Sequence, residues 1–373
     1  MASGARGAYF TAHMASLLSA RFFKRGLELF ALASILALVA LTIYGNSWRA
    51  SWEAIERLKP GWALAALVLA SSDWWGGGFR IWLLAKFLHR DTPLGGMIVA
   101  GGLNTWGSYL TPSQTGGGPV MIWAMKRAGV PVPEATIAAF MSFVGTVVFF
   151  AITGPLAIVL GAGRSLRAHG VPLVHVSLYD VFKASAWGWV FVGALLLFVL
   201  VFPSRARWVV HTAIGVLERR GNARIAAWVS GLRGGIDRMQ ECVVKFLTPA
   251  GWLAMLAGVV TSSLAHANKL LAAYVVLRAM GIEANLMDVL LVQVTIAFLL
   301  YFAPTPGGAG AAEALAAALM RTYVPRALLP VYTLLWRFTV SYATVIFGSF
   351  VFFRLLHGRL EESPAPAQTT AAT

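Results

Sequence analysis

Few residues in this chain could do chemistry, and those few stand inside long apolar stretches. Asp73, Arg80, Lys269, Glu313 and Arg337 interrupt otherwise apolar runs, with Asn104, Gln114, His266 and Gln293 as polar companions. A charge at the middle of a membrane helix costs roughly 2.5–3.5 kcal/mol on insertion scales, so it faces a cavity or a partner. Glu313 and Arg337 are expected to pair or to share one buried network. Arg80 and Lys269 either line a cavity or extend along the helix to an interface. Asp73 stands beside Trp74-Trp75-Gly76-Gly77-Gly78, where it would mark a flexible kink or touch a substrate.

Two proline and glycine clusters supply the second ingredient, LTPSQTGGGP from Leu110 to Pro119 and APTPGGAGAAE from Ala303 to Glu313. Such clusters cannot hold a continuous helix. Free backbone groups at membrane depth are tolerated only when buried in protein or lining a wet cavity. A half-helix that begins after the glycines presents its amide end to the break, which suits phosphate or another anion. The candidate contacts for a lipid headgroup are therefore Asn104, Pro112, Gln114, Gly116, Gly117 and Gly118 in the first cluster's neighbourhood. Pro304, Pro306, Gly307, Gly308, Gly310 and Glu313 are their counterparts in the second, joined by Arg80, Lys269 and Arg337. Tight hairpin turns would explain the same glycines.

Enzymatic chemistry has little to work with, and neither a catalytic residue nor a cofactor nor a metal is expected. The seven histidines are scattered, with no H-E-x-x-H, no G-x-S-x-G and no phosphate-binding G-x-x-x-x-G-K-[ST]. The single cysteine, Cys242, excludes an internal disulfide and a cysteine-rich metal site. The net charge of +15 does not point to nucleic acid, because Lys and Arg sit mainly between or at the ends of apolar blocks.

The elements that must position these residues are membrane helices. Hydrophobic residues make up 58% of the chain and charged ones 12%, too little polar surface for a water-facing sphere. The fold expected is an all-α polytopic membrane protein of about eight hydrophobic helices, with two Pro/Gly-broken, re-entrant-type hairpins. Residues 1–25 would be a cytoplasmic segment, 26–360 one transmembrane domain and 361–373 a disordered tail. Lys and Arg at the span ends place both termini in the cytoplasm of a bacterial-type inner membrane.

Within the domain, residues 61–160 and 249–355 read as two repeats. Each has an apolar piece, a Pro-Gly cluster, a short helix, a proline and a full span. Pro112 to Pro133 and Pro304 to Pro325 are both 21 residues apart. One span, Ala184 to Phe202, separates the copies and inverts the second, and inverted repeats with broken helices mark transporter sites. Between the copies, 203–247 carries eight Lys or Arg against three acids. There Ile225, Val229, Leu232, Ile236, Met239, Val243 and Phe246 form one apolar helical face, for an anionic leaflet or the underside of the bundle.

The run PTPGGAGAAEAL (Pro304 to Leu315), the run TPSQTGGGPVMIWAMKRAGVP (Thr111 to Pro131), and Arg337 with Ser341 and Tyr342 resemble the lysylphosphatidylglycerol synthase transmembrane, or flippase-like, family. The resemblance covers about Gly26 to Leu360, and its specific core is Pro-Gly-Gly-x-Gly-x-x-Glu from Pro306 to Glu313. It implies lipid handling without fixing the lipid. Members include the membrane half of the multiple peptide resistance factor, which flips aminoacylated phosphatidylglycerol; others are linked to glycolipid, polyprenol or hopanoid pathways. That factor carries a soluble aminoacyl-transfer domain after its membrane part, whereas only a short tail follows Arg359, so no synthase activity is expected. The leading expectation is a transporter that binds and translocates an anionic phospholipid, an aminoacylated lipid, or a polyprenyl lipid or glycolipid across the inner membrane. The alternative is a non-transporting accessory subunit whose partner is a lipid-biosynthesis enzyme. Membrane lipids are partners in either case, and the oligomeric state stays open.

Overall fold

The structure is a computed structural model that describes residues 20–45, 48–162, 170–171, 174–202, 241–301 and 303–361, with isolated positions between 205 and 212. Helix α1 (Ala20–Gly45) and the short α2 (Trp48–Glu56) precede α3 (Pro60–Leu88), α4 (Leu94–Tyr109), α5 (Gly117–Arg127) and α6 (Val132–Val159). A two-stranded antiparallel hairpin, β1 (Gly170–Val171) and β2 (Val174–Ser177), leads into α7 (Leu178–Val201). Then come α8 (Pro249–Ala279), α9 (Leu286–Tyr301), α10 (Ala311–Met320), α11 (Leu329–Arg337) and α12 (Ala343–Glu361). Proline stands in the first turn of α3, α6, α8 and α11, where its missing amide costs nothing.

Among the described residues, five helical segments are long and apolar enough to cross a membrane: Arg21–Gly45, Val132–Val159, Tyr179–Phe198, Pro249–Ala279 and Arg326–Leu356. Other helices of the about eight expected fall outside that test. α9 is a short apolar helix of 16 residues, and α3 carries Asp73, Arg80 and Lys86 within its 29. Large apolar side chains stand exposed in rows, among them Leu32, Leu36 and Ile43 on α1, Phe191 and Leu195 on α7, and Leu253, Leu256 and Val260 on α8. Such area is far beyond what a water-soluble monomer exposes and matches hydrocarbon. The chain is an all-α polytopic membrane protein.

The same order of elements occurs twice. α3, α4, a 3₁₀ turn (Pro112–Gln114), α5 and α6 are followed later by α8, α9, a 3₁₀ turn (Pro306–Gly308), α10 and the α11–α12 helix. The matching lengths are 29, 16, 3 and 11 residues against 31, 16, 3 and 10. The turns pair Pro112 with Pro306, two residues on from the Pro304 that equal spacing suggests. α3 and α8, the corresponding helices, run antiparallel in close contact. The Lys59 amide donates to the Ala279 carbonyl at 2.8 Å at one end, and Phe87 packs on Phe246 at 5.0 Å between ring centres at the other.

The expectation of a kink at Trp74–Gly78 is overturned. α3 runs unbroken from Pro60 to Leu88, and its glycines serve proximity instead. A side-chain carbon on Gly78 would overlap the backbone at Ile98, and one on Gly101 would overlap the backbone at Gly78. Two helices thus meet main chain to main chain, the arrangement that small residues permit in membranes. Most of the basic segment at 203–247, residues 1–19 of the segment expected to be cytoplasmic, and the tail after Glu361 lie outside the described residues. Of the basic segment, residues 241–246 are helical, with Cys242 and Phe246 buried.

Candidate functional site

A cavity of about 610 Å³ lies beside the first hairpin. Its wall is built from α3 (Asp73, Gly77, Arg80), from α4 and the tip that follows (Asn104, Ser108, Tyr109, Ser113, Gln114), and from α5 (Gly118, Met121). α6 contributes Ser142 and Thr146, α8 contributes His266 and Lys269, and Tyr301 comes from the end of α9. The volume is that of an ordinary small-molecule site.

Two cations face this space. Arg80 is 7% exposed; one terminal nitrogen donates to Ser262 Oγ at 3.1 Å, and its buried Nε has no hydrogen-bond partner among the described residues. Lys269 donates to Asp73 Oδ1 at 3.1 Å and to the Tyr109 hydroxyl at 3.1 Å, while Thr344 donates to the other Asp73 oxygen at 3.1 Å. Both cations line the cavity and hydrogen-bond within the bundle. The two contacts are reciprocal: Arg80 of α3 meets Ser262 of α8, and Lys269 of α8 meets Asp73 of α3. His266 stacks on Phe149 with ring centres 5.0 Å apart, and Nε2 lies 3.2 Å from Thr146 Oγ1.

The tip of the first hairpin is strained on the cavity side. Ser113 and Gln114 both hold left-handed backbone, at φ 49° and 58°. A side chain in that region costs of order 1–3 kcal/mol and persists only where the surroundings impose it. At the matching places of the second tip stand Gly307 (φ 56°) and Gly308 (φ 66°), which adopt the same shape without that cost. The first tip thus bears strain at two polar residues that stand at the cavity wall. The tips touch: the Ser113 amide donates to the Ala303 carbonyl at 3.3 Å.

The expected Glu313–Arg337 network is present but stands apart from the cavity. Arg337 Nε donates to Glu313 Oε1 at 2.9 Å, the Tyr342 hydroxyl donates to the same oxygen at 2.8 Å, and the Gly310 amide donates to Oε2 at 2.8 Å. Arg337 also reaches the Gly307 carbonyl at 3.4 Å. With side-chain exposures of 2% and 0%, the pair fastens the second tip to the last helix. A π-helical turn at Phe338–Tyr342 follows Arg337 at once, and the Val340 carbonyl within it accepts from Tyr109. One hydroxyl thus touches Lys269 and the last helix together.

Of the residues singled out by sequence, Asn104, Gln114, Gly118, Arg80 and Lys269 line the cavity, with Asp73 and His266. Pro112, Gly116 and Gly117 shape its hairpin from behind: a side-chain carbon on Gly117 would overlap Ser108 Oγ. Pro304, Pro306, Gly307, Gly308, Gly310, Glu313 and Arg337 belong to the second tip and its fastening. Tyr109, Ser113 and Tyr301 were missed. The tyrosines had a signal, since each stands three residues before the first proline of its cluster.

A family described as the lysylphosphatidylglycerol synthase TM region matches residues 28–348. A protein described as a UPF0104 membrane protein, from Archaeoglobus fulgidus, is 21% identical over 318 residues, covering 84% of this chain and 92% of the relative. No solved structure matches the chain. The family match covers the membrane region, includes both hairpins, and extends to no synthase domain. The chain belongs to the lysylphosphatidylglycerol synthase transmembrane-region family.

Proposed function

We propose that the protein is a lipid transporter: it takes the anionic headgroup of a membrane lipid into the cavity beside the first hairpin, with the acyl chains left in the bilayer, and moves that headgroup across the inner membrane. The observation that carries this reading is Arg80, a buried guanidinium with an unpaired Nε on the wall of a cavity large enough for a headgroup. A buried charge that keeps an unused donor is costly unless a ligand completes it. The recurring element order and the antiparallel α3–α8 pair fit an inverted repeat, with a site between the halves. Lys and Arg at Lys86, Arg90, Lys126, Arg127 and Arg354 fit a cytoplasmic location for that end of the bundle, and for both termini.

Reconstitution into liposomes tests it. A headgroup-labelled anionic phospholipid should become accessible to a membrane-impermeant quencher faster in vesicles that hold the protein. Arg80→Gln should slow that exposure about tenfold, the size of one lost hydrogen bond to a charged group. Equal rates with and without protein, for every anionic phospholipid and polyprenyl phosphate tried, contradict transport. The touching tips favour a second reading, in which a non-transporting accessory subunit holds the headgroup for a lipid-biosynthesis enzyme. On that reading lipid binds but is not exposed faster.

A further inference from the structure

The charge and hydrogen-bonding capacity of the cavity specify more than "anionic". Arg80 and Lys269 bring two positive charges to its wall and Asp73 one negative, which leaves one positive charge in surplus. Asp73 is the only carboxylate among the described residues of the wall, and its charge is already matched by Lys269 on one oxygen, with Thr344 donating to the other. Among the described residues of the wall, no carboxylate with an unmatched charge is left to receive an ammonium group. The remaining polar groups are neutral. Asn104, Ser108, Ser113 and Gln114 stand on the wall, and their side chains have no hydrogen-bond partner among the described residues. Each can both donate and accept. Ser113 and Gln114 are held there by left-handed backbone that the other hairpin assigns to glycine.

We infer that the headgroup taken by this site is a single phosphodiester bearing a neutral, hydroxyl-rich substituent such as glycerol or a sugar, and not an aminoacylated, cationic one. The inference rests on the lipid-headgroup reading above and narrows it. The phosphodiester carries one negative charge, which neutralises the surplus and completes Arg80 with a charge-assisted hydrogen bond. The hydroxyls of the substituent satisfy the amides and hydroxyls of the first hairpin. A lysyl ester on the same glycerol brings two ammonium groups, makes the headgroup net positive, and meets like charge with no acidic partner. At the low dielectric of such a site that repulsion is strong. The site therefore rejects the very lipid for which the family is named.

Competition among lipids tests this on the full chain. The purified protein is exchanged into micelles holding equal amounts of phosphatidylcholine, phosphatidylinositol, phosphatidylglycerol, phosphatidic acid and lysylphosphatidylglycerol, and the retained lipid is read by native mass spectrometry. Phosphatidylinositol and phosphatidylglycerol should be retained about tenfold over lysylphosphatidylglycerol and clearly above phosphatidic acid, which has the phosphate without the polyol. The S113G/Q114G double variant adopts the second hairpin's own residues and sheds the backbone strain, so it should fold with an unfolding temperature no lower than the parent's and lose the preference for phosphatidylinositol over phosphatidic acid. Equal or better retention of lysylphosphatidylglycerol overturns the assignment and leaves the lipid-headgroup reading standing. Equal retention of phosphatidic acid and phosphatidylinositol overturns the polyol half. If no lipid is retained above phosphatidylcholine, the assignment and the reading beneath it fall together.

Discussion

Glu313 and Arg337 are opposite charges sealed inside the bundle, and removing either strands the other. Glu313→Ala or Arg337→Ala should lower stability by about 3–5 kcal/mol, the cost of breaking a buried pair, as measured by unfolding in detergent. Arg337→Lys should restore little, because one ammonium cannot serve Glu313 and the Gly307 carbonyl from a planar fork. That these two residues must find partners was legible in the sequence, since a charge in an apolar run has few alternatives. The partnership of Lys269 with Asp73 was not, because whether a lysine turns inward or snorkels depends on its depth, which packing against α3 decides. Cys242 gives a simpler check. Burial both covers its thiol and raises it above the usual thiol range, so less of it is thiolate at neutral pH. A maleimide should label it slowly in the folded protein and fully after denaturation.

Element by element, the glycines of α3 divide sharply by what surrounds them. A side chain on Gly78 would enter the α4 backbone, whereas Gly76 has nothing within 4 Å. Gly78→Leu should therefore force α3 and α4 apart and abolish stable expression, while Gly76→Leu should leave yield and unfolding temperature unchanged. Three consecutive glycines suggested a kink because the sequence shows what glycine allows and not which neighbour comes close. The two broken hairpins were legible for the opposite reason: Pro112 and Pro306, with the glycines behind them, leave the chain no helical alternative. The pairing of Pro112 with Pro306, and the choice of Ser113 and Gln114 over glycine, needed the backbone angles of both tips.

Across the whole molecule, the halves share an architecture and differ in what they use it for. The first hairpin puts amides and hydroxyls on a cavity; the second is fastened shut by Glu313, Arg337 and Tyr342. Accessibility should follow that division. In a Cys242→Ser background, cysteines at Ser108, Ser113 and Thr146 should react with a small water-soluble thiol reagent in detergent. Cysteines at Ala312 and Ala316, both fully buried around the second hairpin, should not. The central claim, that the cavity beside the first hairpin receives an anionic lipid headgroup, is tested most directly by an electron cryomicroscopy map of the protein in anionic lipid nanodiscs. Phosphate density is expected within hydrogen-bonding reach of Arg80, with acyl density leaving the cavity toward the bilayer. A cavity that holds only water, with lipid density confined to the outer faces of the helices, would contradict it.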